Sequence, residues 1–166
     1  MPDNPSSALV DFREFLKHKA NESGARDRHH RRREWLDSVR GFMEQVRGWL
    51  DQADPEQVLD IQPYIVSRTE APIGTYDAPA LRISLGVGKV DILPIGRYVS
   101  ARTWPKTSAV TVDLAGRIDL KGDSGTFRCY REVFDDDQRW EIWDEEGRTQ
   151  RFEEESFIRT IQGLLS

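Results

Sequence analysis

The chain of 166 residues has a single cysteine, Cys129, only three histidines and two methionines. One thiol permits no internal disulfide, and it cannot furnish a cysteine-based metal centre. With only His18, His29 and His30 available, no zinc ligand set is expected; His29 and His30 are neighbours that point about 100° apart on a helix. No apolar run is long enough for a membrane span or a secretory leader, so the expected location is the cytoplasm, where an unpaired thiol stays reduced. Nucleotide signatures are missing as well. Gly86-Val87-Gly88 continues into Asp91 where a dinucleotide loop would need glycine, and a strand pattern follows instead of a helix. No Gly-x-Ser-x-Gly elbow occurs, and Cys129 has no histidine near it in sequence. No cofactor and no catalytic residue is therefore expected.

The charge is unevenly placed. Net charge is −5, yet residues 1–53 hold ten Lys/Arg against nine Asp/Glu, and the remainder holds fourteen against twenty. Ten acids and three arginines fall between Asp135 and Glu155, whereas five arginines, two histidines and one aspartate fall between Arg26 and Arg33. Net acidity disfavours a general nucleic-acid binder but leaves room for a local basic patch.

Periodicity divides the chain in three. Residues 1–7, polar with two prolines, predict a flexible N-terminus. Leu9, Phe12, Leu16 and Ala20, with Phe15 beside them, are spaced as a helix over Ala8–Ala20, with Ser6 or Ser7 as its cap and a weak point at Asn21–Gly24. Trp35, Val39, Phe42, Val46, Trp49 and Ala53 then alternate steps of four and three, flanked by Leu36, Met43 and Leu50. That wide stripe suits a globular core better than a two-helix seam. It predicts a long amphipathic helix over Arg26–Ala53, roughly 42 Å at 1.5 Å per residue, halted by Asp54-Pro55. The helical layer over 8–53 is thus one long helix or a helical hairpin.

Beyond Pro55 the period drops to two. Leu81, Ile83, Leu85 and Val87 alternate with polar residues, as do Val110, Val112 and Leu114, then Ile118 and Leu120, Phe127 and Cys129, and Trp140 and Ile142. Adding Val58–Thr69 and Lys89–Val99 gives about seven short strands with brief turns over 56–152, an antiparallel meander. Pro63 and Pro94 belong at an edge or a bulge. A short helix over 153–165 follows, with acids in its first turn and Phe157, Ile161 and Leu164 as its stripe. The order of elements predicts a single α+β domain over 8–166, its helices on one face of an antiparallel sheet.

Three constellations carry functional readings. Extending the stripe of the long helix back from Trp35 reaches Arg32, His29 and Arg28, so the apolar face turns basic. Arg28, His29, Arg31, Arg32 and Arg33 are expected to overhang the sheet, which at ~20 Å per strand is shorter than the helix. They would bind another protein or, in the alternative, nucleic-acid phosphate, unless they pair with the chain's own Asp135–Glu155 region. Trp35, Phe42 and Trp49 could anchor a partner helix, but the width of the stripe favours packing on the chain's own sheet. Third, a three-residue loop at Ala115–Arg117 would set Asp113 opposite Asp119 with Lys121 nearby, the nearest approach to a metal-dependent hydrolase site. The expected function is a non-catalytic accessory or adaptor protein that binds a macromolecule through its helical layer and basic overhang, with no membrane partner expected in the absence of a long apolar run; the oligomeric state is left open.

Overall fold

A computed structural model describes residues 6–99, 114–135 and 137–166. The expected α+β architecture is present: two helices, α1 (Ser7–Ser23) and α2 (Ala25–Ala53), then β1 (Asp60–Glu70), β2 (Gly74–Leu85), β3 (Gly88–Gly96), β4 (Leu114–Gly122), β5 (Gly125–Phe134), β6 (Asp137–Trp143), β7 (Thr149–Arg151) and α3 (Glu154–Leu165). The strands form one antiparallel sheet in chain order, β1 to β7. Helix α1 begins at Ser7, one residue earlier than expected, because the Ser6 side chain accepts the Leu9 amide at 3.3 Å. The rest of the segment expected to be a flexible terminus, residues 1–5, lies outside the described residues.

Helix α2 packs on β2, and α3 on β3 and β4, so both cover the same sheet face. The stripe read from the sequence is that contact. Trp35, Val39, Phe42, Met43, Val46 and Leu50 are buried, Leu36 and Trp49 half-buried, and only Ala53 is exposed. Opposite them the register lines up Ile83 with Val90, Leu81 with Ile92 and Leu120, and Ile118 with Cys129 and Ile142. Phe157, Ile161 and Leu164 of α3 close the core. At the α2 terminus Asp54 accepts the amides of Val58 and Leu59 at 2.9 and 2.8 Å, which turns the chain into β1. Pro63 sits in the edge strand β1, and Pro94 at a register shift between β3 and β4.

Three sequence expectations are corrected. Leu85 and Val87 continue the alternation of Leu81 and Ile83 on paper, yet they are 43 and 96% exposed because the Gly86–Val87 turn has already begun. The first half of β2, Gly74–Ala80, and the short β7 carry too little apolar alternation to be read as strands. Ala115–Arg117 is no hairpin loop. It lies within β4, where the step from Leu114 to Arg117 is matched by only Glu132 to Tyr130 on β5, a bulge of one extra residue. Val110–Asp113, the strand that was to precede the loop, lies outside the described residues.

Candidate partner-binding surface

Gly24 shapes this region. Its φ of 69° is left-handed, a conformation glycine adopts without a Cβ penalty, and it is at once the C-cap of α1 and the N-cap of α2. A single left-handed residue between two helices makes a corner. Consequently α1 does not join the layer over the sheet, as a helical hairpin would. Leu9, Val10, Phe12, Phe15 and Leu16 are 42–56% exposed; the Phe12 and Phe15 rings stack on each other, centroids 6.2 Å apart, with the Lys19 ammonium 5.9 Å from the Phe15 ring.

The first turns of α2 are basic, and the structure divides the five predicted residues. Arg28, His29, Arg31 and Arg33 are exposed; Arg32 is half-buried, against the expectation of solvent exposure, because its Nε donates to the Ile73 carbonyl at 3.0 Å. Arg31 Nη1 reaches the Tyr98 hydroxyl at 3.5 Å, and Arg33 Nη2 lies 3.4 Å from His29 Nε2. None of Arg28, Arg31, Arg32 and Arg33 has a carboxylate partner among the described residues. The arginines of the Asp135–Glu155 region pair with nearby acids: Arg148 with Asp144 at 2.7 Å, and Arg139 with Glu132 and Glu141 at 2.8 and 3.4 Å. Asp144 is held below the usual carboxylate range: burial works against this, and the hydrogen bonds from Arg148 and Glu146 outweigh it.

Beneath the basic turns lies a polar layer that sequence reasoning missed. Arg131, 3% exposed, donates to Glu34, to Gln138 Oε1 at 2.8 Å and to the Ala115 carbonyl at 3.1 Å. Its guanidinium stands 5.9 Å from the Trp35 ring, and Trp35 Nε1 donates to Tyr76 at 3.1 Å. The Tyr76 hydroxyl donates to Glu70 at 2.5 Å, and Glu70 also accepts the amides of Arg97 and Tyr98 at 3.1 and 2.9 Å. Burial, then the Glu70 hydrogen bond, push the Tyr76 hydroxyl well above its ordinary pKa. The period-two alternation of Phe127 and Cys129 carries on to Arg131, and that spacing was the one sign in the sequence that Arg131 faces inward.

On the opposite sheet face the hydrolase constellation does not assemble among the described residues. Asp119 stands opposite Leu93 and Arg128, and Arg117 grips its carboxylate with two hydrogen bonds of 2.7 Å. Asp113 lies outside the described residues. Lys121 lines a shallow cleft with Arg82 and Asp91. No cluster of three metal-ligating side chains occurs among the described residues. A groove of about 710 Å³ between α2 and β6–β7 is lined by Phe42, Trp140 and Phe152 together with exposed Glu44, Arg151 and Glu153, so it is a surface feature and not an enclosed pocket.

The chain matches no protein-family model, no curated protein and no solved structure. The surface chemistry is accordingly the whole basis for a functional reading. No helix among the described residues is long and apolar enough to cross a membrane.

Proposed function

We propose that the chain is a non-catalytic accessory or adaptor protein that docks another protein on the arm formed by α1 and the first turns of α2. The observation that carries this reading is the apolar stripe of α1, five side chains 42–56% exposed on one short helix. A 17-residue helix gains little from propensity alone, and an exposed apolar patch is where a partner commonly seats. The adjoining Arg28, Arg31 and Arg33 have no internal counter-ions among the described residues, so they would steer a partner whose surface is acidic. The lone thiol is consistent with work in a reducing compartment, the cytoplasm.

Affinity capture from the native host, followed by titration of the captured protein after purification, tests the reading. Phe12→Asp with Phe15→Asp should abolish binding, and Arg28→Glu with Arg31→Glu and Arg33→Glu should slow association most at low salt. Both variants should keep the wild-type melting temperature, since exposed substitutions usually change stability by less than ~0.5 kcal/mol each. Binding that survives both variants refutes the arm as the docking surface.

The Arg26–Arg33 segment supports a second reading, nucleic-acid binding, because its exposed guanidinium groups are available to phosphate.

A further inference from the structure

At 100° per residue, Arg28, Arg31 and Arg32 share the face of Trp35, while His29 and Arg33 lie away from it. At Trp35 that face is fully buried. One to two turns earlier it overlooks the rim of the sheet, as the contacts of Arg32 with Ile73 and of Arg31 with Tyr98 record. Both acceptors are neutral, so neither cancels a charge. The acids at this rim are already engaged: Glu70 by Tyr76 and two backbone amides, Glu34 by Arg131 and, at 3.8 Å, by Arg97. Arg31 and Arg32 thus reach this rim with Arg28 on the same helix face, and none of the three pairs with a carboxylate among the described residues. Beside Arg31 stands Tyr98, 39% exposed, with the Arg97 guanidinium 4.9 Å from its ring centroid. Hydrogen bonds from the Arg97 and Tyr98 amides to Glu70 hold the backbone that carries the ring.

We propose that Arg28, Arg31 and Arg32, with Tyr98, form a site for single-stranded nucleic acid, the guanidinium groups on successive phosphates and the tyrosine ring beneath a base. This rests on the reading of the arm as a docking surface and names the partner class of its basic half. Phosphate charge alone would be met equally by an acidic protein. The exposed aromatic ring among arginines decides for nucleic acid, because every base offers a π-face and stacking adds roughly 5- to 150-fold in affinity per base. A duplex keeps those faces covered, which decides for a single strand.

The test uses the full chain and a fluorescent oligothymidylate, titrated at several salt concentrations, with the matching duplex and polyglutamate as competitors. Three phosphate contacts on a single strand predict a slope of log K against log salt of about −2. Arg28→Gln with Arg31→Gln should bring the slope to about −0.7. Tyr98→Ala should lower affinity roughly 5- to 150-fold at unchanged slope, and Tyr98→Phe should restore it. Polyglutamate competing as well as oligothymidylate, with no effect of Tyr98→Ala, overturns the inference in favour of an acidic protein. Capture of a protein partner that needs Phe12 and Phe15, without any oligonucleotide binding, also overturns it and leaves the docking reading standing.

Discussion

Adding one methyl group at residue 116 separates two accounts of the same glycine. In a hairpin loop Gly116→Ala would meet open space and cost at most ~1 kcal/mol. In the β4 bulge, φ at Gly116 is 152°, and a Cβ would lie 2.2 Å from Trp35 Cζ3 and 2.6 Å from Cη2. The indole cannot swing aside. It is fully buried, its Nε1 is bonded to Tyr76, Trp140 is tilted against it at 6.2 Å, and the Arg131 guanidinium is close to its face. Overpacking a filled core costs ~1–3 kcal/mol, and a backbone conformation unfavourable to an L side chain adds ~1–3. The expected loss is therefore about 2–6 kcal/mol. At ~2–4 °C per kcal/mol for a chain of this size, the melting temperature should fall by about 4–24 °C. Urea unfolding followed by tryptophan fluorescence and far-ultraviolet circular dichroism measures it. Trp35→Leu removes the obstacle, so Gly116→Ala should cost less in that background, with a coupling of ~0.5–3 kcal/mol. A loss below ~1 kcal/mol, or strict additivity of the two changes, would refute the contact between bulge and indole.

Phe42, 2% exposed, stacks on Phe152 at 4.5 Å and meets Trp140 edge-on at 4.8 Å; Phe42→Ala should cost about 3–5 kcal/mol in chemical denaturation, and less than ~1 would mean the ring is not part of the core. Cys129 is fully buried and burial, with the nearby Asp119 charge, pushes its thiol well up, so a thiol reagent should find nothing in the native protein and one group per chain in urea. Rapid native labelling would contradict that placement. Tyr64 is pushed up to about 12 by burial and by its hydrogen bond to Asp91. Unfolded tyrosine loses its proton near ~10, so the folded state holds it longer: this contribution to stability is full below that pH and is lost as pH rises toward 12. Tyr64→Phe should flatten that alkaline decline in urea melts, and an unchanged slope would count against it.

Much of the fold was legible because period reports which side chains share a face. Trp35 to Leu50 recur at helical spacing and are buried together; Pro55 follows directly on the end of α2; Pro63 and Pro94 sit at the edge and the irregularity where a missing donor is tolerated. The basic character of Arg28–Arg33 was equally plain. What covers a face is another matter, since that depends on residues far away in sequence. The stripe of α1 has the spacing of a core helix, yet one left-handed glycine turns it away from the sheet. The alternation through Val112–Leu120 is compatible with two strands around a loop or with one bulged strand, and the described part, Leu114–Gly122, is a single strand whose bulge accommodates the Trp35 indole. Arg131 and Tyr98 show the same division: spacing puts Arg131 on the face of Cys129, but nothing local says what it bonds there or that Tyr98 is presented. The sequence by itself determined the elements and their apolar faces, because these follow from backbone period and local sterics. Only the tertiary structure decided which arginine is buried, which tyrosine is presented and which apolar helix is left uncovered, because those depend on how the end of one long helix meets the rim of the sheet.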